Sequence, residues 1–127
     1  MIAVDTSALM AILLGESEAS ACADVLATND RIVISAATVA EALIVARRRN
    51  LSAEMASLID GLGLEIASIT LAAARRVADC YAQWGKGVNP AGLNFGDCFA
   101  YEVARSHACP LLFVGEDFAR TDVVSAL

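Results

Sequence analysis

The stretch MIAVDTSALMAILLG, residues 1–15, contains the pattern that decides the fold. It opens with a short aliphatic run, Ile2–Val4, which predicts a strand, and Asp5 follows this run directly. The apolar residues from Ser7 to Leu14 recur at helical spacing and predict a helix. A short strand followed at once by a helix is typical of a parallel sheet flanked by helices.

The same alternation of short aliphatic runs and longer helical patterns continues along the chain. Further strands are predicted at Ile32–Ile34, Leu64–Ile66 and Leu111–Val114, with a short edge strand at Asp122–Val124. Further helices are predicted at Ser17–Ala27, Ala36–Arg49, Ala53–Leu62, Leu71–Trp84 and Phe95–His107. Helix starts are predicted to be capped by Ser35, Ser52, Thr70 and Asn94. We therefore expect a single α/β domain over residues 1–127, with a central parallel sheet of four to five strands flanked by helices.

Length, composition and charge restrict what this fold can do. With 127 residues, 57% of them hydrophobic, the chain is long enough for one domain with a substantial core. Its 15 acidic and 9 basic residues give a net charge of -6, which excludes nucleic-acid binding through bulk positive charge. An acidic chain is still compatible with a metal site that supplies positive charge locally.

Neither a membrane segment nor a secretion signal is expected. Residues 1–15 are apolar, but Asp5 interrupts them and the first basic residue is Arg31, so the basic leader of a signal peptide is missing. No apolar run reaches the roughly 18 residues of a transmembrane helix. The four cysteines form no C-x-x-C pair, and His107 with Cys109 lacks a second ligand pair. We expect a cytoplasmic protein with reduced, buried cysteines.

Two acidic residues follow predicted strands directly. Ligands bind outside the carboxyl ends of parallel strands, so the residues at those ends are candidates for a site. Asp5 comes after the first strand, and Asp117 comes after the fourth strand and Gly115, which permits a tight turn. Each has a local alternative, because Asp5 can cap a helix and Asp117 can be a turn residue.

Two further acids lie on predicted helices. Glu41, in AATVAEALIVA, shares a helix face with Ala37, Ile44 and Val45. A carboxylate on an apolar stripe needs a partner, which is either a site or an intrahelical pair with Arg48 or Arg47. A second helix carries Asp97 three residues after its start, where the N-x-x-D spacing is also compatible with a capping box.

Taken together, the four acids come from four elements that a parallel sheet can bring to one edge. Such a cluster repels itself unless a cation neutralises it, and all-oxygen ligands favour Mg2+ or Mn2+. Metal-assisted phosphodiester hydrolysis is the chemistry that uses such a site. A Ser or Cys nucleophile with a histidine base is not indicated, because His107 is the only histidine and stands alone.

Four segments also carry a resemblance to a known family: MIAVDTSAL, SAATVAEAL, PAGLNFGDCFAYEVAR and LLFVGEDFARTDV. They resemble the successive motifs of PIN-domain ribonucleases, specifically the VapC toxins of bacterial type II toxin-antitoxin modules. The resemblance implies a central parallel sheet and a Mg2+ (or Mn2+) site formed by Asp5, Glu41, Asp97 and Asp117. It implies supporting hydrogen bonds from Ser7, Asn94, Thr121 and Asp122. It further implies a homodimer, RNA cleavage that leaves a 5'-phosphate, and inhibition by a cognate VapB-type antitoxin.

Other classes of protein fit the same acids less well. A haloacid-dehalogenase-like phosphohydrolase needs a second Asp where this chain has Ser7, and a phosphoacceptor receiver domain needs a Lys near its end, whereas Lys86 lies in a predicted loop. A non-catalytic acidic protein-binding module is disfavoured because Glu41 is embedded in apolar sequence. The role of Glu116, beside Asp117, is not indicated by any motif.

Contacts with other molecules are predicted on helical faces. The bases available for RNA include the run Arg47, Arg48 and Arg49, although basic residues at a helix end are also typical of solvated faces. The apolar content exceeds what one core is expected to hide, so exposed apolar faces are predicted on Ala36–Arg49 and Ser17–Ala27. These faces are candidates for a dimer contact and for an antitoxin groove.

Overall fold

Four short strands form a parallel sheet at the centre of the protein, in a computed structural model that describes all residues from 1 to 127. The strands are β1 (Ile2–Val4), β2 (Ile32–Ser35), β3 (Glu65–Ala67) and β4 (Leu111–Leu112). Their order across the sheet is β3-β2-β1-β4, and each neighbouring pair is parallel. The predicted α/β architecture with a parallel central sheet is confirmed.

Six α-helices and one 3-10 turn surround the sheet. The α-helices are α1 (Thr6–Leu14), α2 (Ala19–Thr28), α3 (Ala36–Arg48), α4 (Ser52–Leu62), α5 (Leu71–Trp84) and α6 (Phe95–Ser106). The 3-10 turn covers Phe118–Arg120. All six predicted helices are present, and each end lies within two residues of the predicted one.

Strands β1, β2 and β4 are buried because helices cover both faces of the sheet there, whereas the edge strand β3 is largely exposed. On one face, Ile2 and Val4 of β1 join a core with residues of α1 to α4. On the other face, Ala3 of β1 and Val33 of β2 pack with α5 and α6. The run Ile2–Val4 is therefore apolar throughout, which is typical of a central parallel strand.

Helix starts follow the predicted capping pattern with one exception. The side chains of Asp5, Ser35, Thr70 and Asn94 each accept a hydrogen bond from a backbone N–H in the first turn of the following helix. The prediction that Ser52 caps α4 is wrong. Ser52 is the first helical residue, and Leu51 occupies the cap position without a side-chain hydrogen bond.

The predicted edge strand at Asp122–Val124 is also wrong. The chain meets β4 only after this segment, through a bridge between Ser125 and Leu111 in which the Leu111 N–H donates to the Val124 carbonyl at 2.8 Å. The carboxylate of Asp122 accepts a hydrogen bond from the Tyr101 hydroxyl at 2.7 Å, which holds the segment against α6. β4 is likewise shorter than predicted, because its neighbour β1 ends at Val4 and offers no partner beyond that residue.

The strand order creates one crevice at the carboxyl edge of the sheet. The chain passes from β1 to β2 on one side, while β4 lies on the other side of β1, so the connections diverge between β1 and β4. Two hydrogen bonds join the strand ends there: Asp5 N–H donates to the Leu112 carbonyl at 3.0 Å, and Val114 N–H donates to Ser7 Oγ at 3.0 Å. We therefore expect the functional site at this edge.

Large exposed apolar side chains lie on α3 and around α5 and α6. Leu43 and Ile44 on α3 are exposed as predicted, whereas the exposed apolar residues of α2 are only the small residues Ala21, Ala23 and Ala27. The reason is that Cys22 and Leu26 of α2 are buried in the core. None of the helices combines the length and apolar character needed to cross a membrane.

Candidate active site

Asp5 is a buried carboxylate at the carboxyl end of β1. Only 3% of the residue is exposed, and its Oδ2 accepts the Ser7 N–H at 3.0 Å as the cap of α1. The other oxygen, Oδ1, is buried and has no hydrogen-bond partner. Burial, with a smaller contribution from the charge of Glu41, raises the pKa of Asp5 to about 6. Asp5 therefore has a free acceptor atom in a place where water does not compensate its charge.

Asp97 lies in the first turn of α6 and faces the same crevice. Its Oδ2 accepts the Asn94 N–H at 3.0 Å, and the Asn94 side chain accepts the Asp97 N–H at 2.8 Å, which completes a capping box. Burial, together with smaller contributions from the charges of Asp5, Asp117 and Glu41, raises the pKa of Asp97 to about 7. The fold thus brings all four predicted acids within electrostatic reach of one another.

Glu41 lies on α3 and is positioned by Thr6 and Gly96, two residues that the sequence did not indicate as part of the site. The Thr6 hydroxyl donates to Glu41 Oε1 at 2.6 Å. On the other side, a Cβ added at Gly96 would overlap the Glu41 carboxylate, so α6 leaves room for that carboxylate only because residue 96 is glycine. The signals in the sequence were Thr6 directly after Asp5 and a glycine one residue before Asp97.

Asp117 approaches from the loop after β4. Gly115 has a φ of +108°, which a side chain would disfavour, and it turns the chain towards the crevice. Phe118 is buried and packs on Phe113 with a ring separation of 5.3 Å, which anchors the turn. Asp117 itself is exposed, as is Glu116, for which the structure shows no hydrogen bond or ion pair.

Of the four residues predicted to support the site, two contact it, one stabilises the turn that carries Asp117, and one lies elsewhere. Ser7 and Asn94 contact the backbone and carboxylates of the site directly, as described above. Thr121 donates to the Phe118 carbonyl at 2.7 Å and so stabilises the turn that carries Asp117. Asp122 lies elsewhere, bonded to Tyr101 and 3.8 Å from a guanidinium nitrogen of Arg105, and is not brought to the four acids.

The donor chemistry of this group fits a hard divalent cation. All candidate ligand atoms are carboxylate oxygens, and Asp5 Oδ1 is a buried acceptor without a partner. The chain does not neutralise the group itself, because its ion pairs are Arg31–Glu65, Arg76–Glu102 and Arg105–Asp122. The alternative pairing of Glu41 with Arg48 is therefore not formed. As the side chains stand, no three acidic, histidine or cysteine residues are grouped closely enough to hold one ion.

The fold and the acidic crevice define a class of protein that comparisons with known sequences identify. A family model described as PIN domain matches residues 2–124. Ribonuclease VapC28 of Mycobacterium tuberculosis is 41% identical over 128 residues, which cover 98% of this chain and 96% of that protein. A ribonuclease VapC of Mycolicibacterium smegmatis is 40% identical, with 96% of this chain and 97% of that protein covered. The chain belongs to the VapC ribonucleases of the PIN-domain family.

Solved structures show the same fold. The crystal structure of Mycobacterium tuberculosis VapC20, described as a sarcin-ricin loop cleaving toxin, has a TM-score of 0.77 at 17% identity, covering 98% of this chain and 97% of that one. A toxin-antitoxin complex from Klebsiella pneumoniae has a TM-score of 0.75 at 20% identity, covering 100% and 98%. The predicted family and fold are confirmed. The chain is therefore neither a haloacid-dehalogenase-like phosphohydrolase nor a phosphoacceptor receiver domain.

We predict that Gly96→Ala separates activity from stability. The added Cβ meets only the end of the flexible Glu41 side chain, so the helix accepts it and gains up to about 1 kcal/mol in helix propensity. The displaced Glu41 carboxylate should lower RNA cleavage by roughly 10- to 100-fold. Gly61→Ala is the matched control, because a Cβ there meets nothing within 4 Å. Full activity of Gly96→Ala with an unchanged melting temperature would contradict this placement of Glu41.

We also predict that the metal-free protein loses stability as the pH rises. Because the pKa values of Asp5 and Asp97 are raised from 3.8 to about 6 and about 7, the folded state binds more protons than the unfolded chain across this range. The free energy of unfolding in chelator should fall by about 2 kcal/mol between pH 5 and pH 8, allowing for screening of the partly exposed Asp97. Urea denaturation measures this, and Asp97→Asn should remove much of the slope. A flat or rising profile would contradict the burial of these charges.

Proposed function

We propose that this VapC ribonuclease is a Mg2+- or Mn2+-dependent endoribonuclease that cleaves RNA as the toxin of a type II toxin-antitoxin module. The observation that carries the metal dependence is the Asp5 carboxylate, which is buried with one oxygen unpartnered beside three other acids. Such a group destabilises the fold as an apo site and becomes favourable once a cation is bound. The same chemistry suits an RNA-cleaving enzyme, since both the site and the substrate are anionic.

The residues of the site take separate parts in this proposal. Asp5 and Asp97 are the main ligands, because each is held by a helix cap that fixes its orientation. Glu41, held by Thr6, and Asp117, carried on the anchored turn after β4, complete the negative charge around the cation. Hydrogen bonds hold Asp5, Asp97 and Glu41 before the substrate arrives, and the four side chains would still have to move closer together to hold one ion.

The proposed reaction is hydrolysis of a phosphodiester bond. When bound, a divalent cation supplies an activated water nucleophile and positive charge that offsets the charge of the transition state. Water attacks phosphorus, the bond from phosphorus to the 3'-oxygen breaks, and the products carry a 5'-phosphate and a 3'-hydroxyl. No residue of the chain forms a covalent bond with RNA in this proposal, since the crevice offers no serine or cysteine activated by histidine.

The proposed partners are a second copy of the chain and a VapB-type antitoxin, in the cytoplasm. A partner that packs on the side of α3 carrying Leu43 would bury this leucine, which is 40% exposed in the single chain. The toxin-antitoxin complex from Klebsiella pneumoniae, which has the same fold, supports the expectation that this chain also binds an antitoxin.

We predict that Asp5→Asn and Asp97→Asn each abolish metal-dependent RNA cleavage while the protein stays folded. Each change preserves the shape of the side chain and removes a ligand charge. Mg2+ or Mn2+ at about 100 times its dissociation constant should stabilise the unmodified protein by roughly 2.7 kcal/mol, and both variants should show a smaller gain. Cleavage assays and thermal denaturation with and without metal measure the two effects. Cleavage at the original rate by either variant would overturn the assignment of the site.

We also predict that the purified chain is dimeric and that the protein encoded beside it forms a soluble, inactive complex with it. The physical reason is that exposed apolar side chains such as Leu43 leave water when two chains associate. Light scattering measures the first property, and co-expression followed by a cleavage assay measures the second. A strictly monomeric chain would contradict the dimer, and full ribonuclease activity in the complex would contradict inhibition.

A further inference from the structure

Phe95 is an exposed aromatic side chain at the edge of the acidic site. It is the first residue of α6, lies two residues before Asp97, and is 72% exposed, more than any other large apolar residue. Its ring packs against Phe99 with a centroid separation of 4.9 Å and an interplanar angle of 83°. This edge-to-face contact orients the Phe95 ring while leaving most of it open to solvent.

A depression of about 440 Å³ runs beside Phe95 between α3 and α6. Glu41 lines it, so the depression is continuous with the acidic site, and Arg48 lines it as well. Its remaining wall includes Ile44, Val45 and Phe99. Arg48 takes part in no ion pair or hydrogen bond within the chain, so its guanidinium is free to contact a ligand. The depression thus combines an oriented aromatic ring, an apolar wall, a free cation and the acidic site.

These four features match one nucleotide of an unpaired RNA strand. An aromatic ring offers a stacking surface to any base, and an unpaired arginine offers a charged contact to a phosphate. The scissile phosphate has to approach the acids, so the adjoining base and phosphate fall within the depression next to Glu41. An acidic chain with a net charge of -6 repels RNA elsewhere, which makes a free arginine beside the site more important for binding.

We propose that Phe95 is the stacking platform for an unpaired base next to the scissile phosphate and that Arg48 contacts a neighbouring phosphate. This inference rests on the proposed ribonuclease function and names the form of RNA that the site takes. A base within a duplex is covered by its neighbours and is unavailable to Phe95. The site therefore selects single-stranded RNA, and it does so with little preference for the base, because every base has a stacking face.

The stacking role is tested by binding of a short, fluorescein-labelled, single-stranded RNA of mixed sequence, measured by fluorescence anisotropy. Asp5→Asn is present in every variant so that the probe stays intact. Phe95→Ala should weaken binding by roughly tenfold, and Phe95→Trp should restore it, since only an aromatic ring stacks. The same probe annealed to its complement should bind Phe95→Ala and the parent equally. Val124→Ala is the matched control, because Val124 is 66% exposed but lies at the amino end of β4.

The phosphate contact is tested by the salt dependence of the same binding. Arg48→Gln should reduce the slope of log affinity against log salt by about 0.7, the value for one phosphate of a single strand. Arg47→Gln is the control, because Arg47 precedes Arg48 on α3 and does not line the depression. An unchanged slope for Arg48→Gln would overturn the phosphate contact.

Three results would overturn the stacking role. They are unchanged binding of single-stranded RNA by Phe95→Ala, failure of Phe95→Trp to restore binding, and a change in oligomeric state by light scattering that accompanies the loss. The last result would mean that Phe95 serves contact with another chain. A failure of the proposed function would show in a different measurement, as the absence of metal-dependent RNA cleavage by the unmodified protein.

Discussion

The burial of a carboxylate that the chain itself does not neutralise is the constraint on which the site depends. Asp5 sits at the carboxyl end of β1, where the strand order places the crevice of the sheet, and one of its oxygens has no partner. Burying an ionised group of this kind is unfavourable unless a charge compensates it. Asp97, Glu41 and Asp117 add further negative charge to the crevice, and no arginine or lysine pairs with them.

Local helix structure holds this unfavourable arrangement in place. Asp5 caps α1, and Asp97 belongs to the capping box of α6, so the hydrogen bonds that start these helices also fix the carboxylates. The structure shows both acids as caps, and this structural role does not exclude the proposed role of each as a metal ligand. A cap uses one carboxylate oxygen, and for Asp5 the other remains available. The same hydrogen bonds therefore stabilise the helix starts and position the carboxylates of the site.

The half-buried position of Glu41 connects the acidic site to the surface beyond it. Thr6 holds the carboxylate, Gly96 leaves space for it, and the next turn of α3 carries Ile44 into solvent. The apolar stripe that the sequence shows around Glu41 therefore lines an open depression rather than the core. This arrangement explains why an acid tolerates such apolar neighbours, and it places the proposed RNA contacts of Phe95 and Arg48 directly beside the charge cluster.

The sequence by itself determined the parallel α/β fold and all six helices, and it indicated four acids that the fold places near one another. These features depend on local patterns: short aliphatic runs, helical spacing and acids at strand and helix ends. The sequence did not determine the path of Asp122, which a hydrogen bond from Tyr101 draws away from the sheet edge, or the start of α4. It also did not reveal that Thr6 and Gly96 hold Glu41 or that Phe95 stands beside it. Those features depend on how α1, α3 and α6 approach one another, and only the tertiary structure decides which side chains meet across that junction.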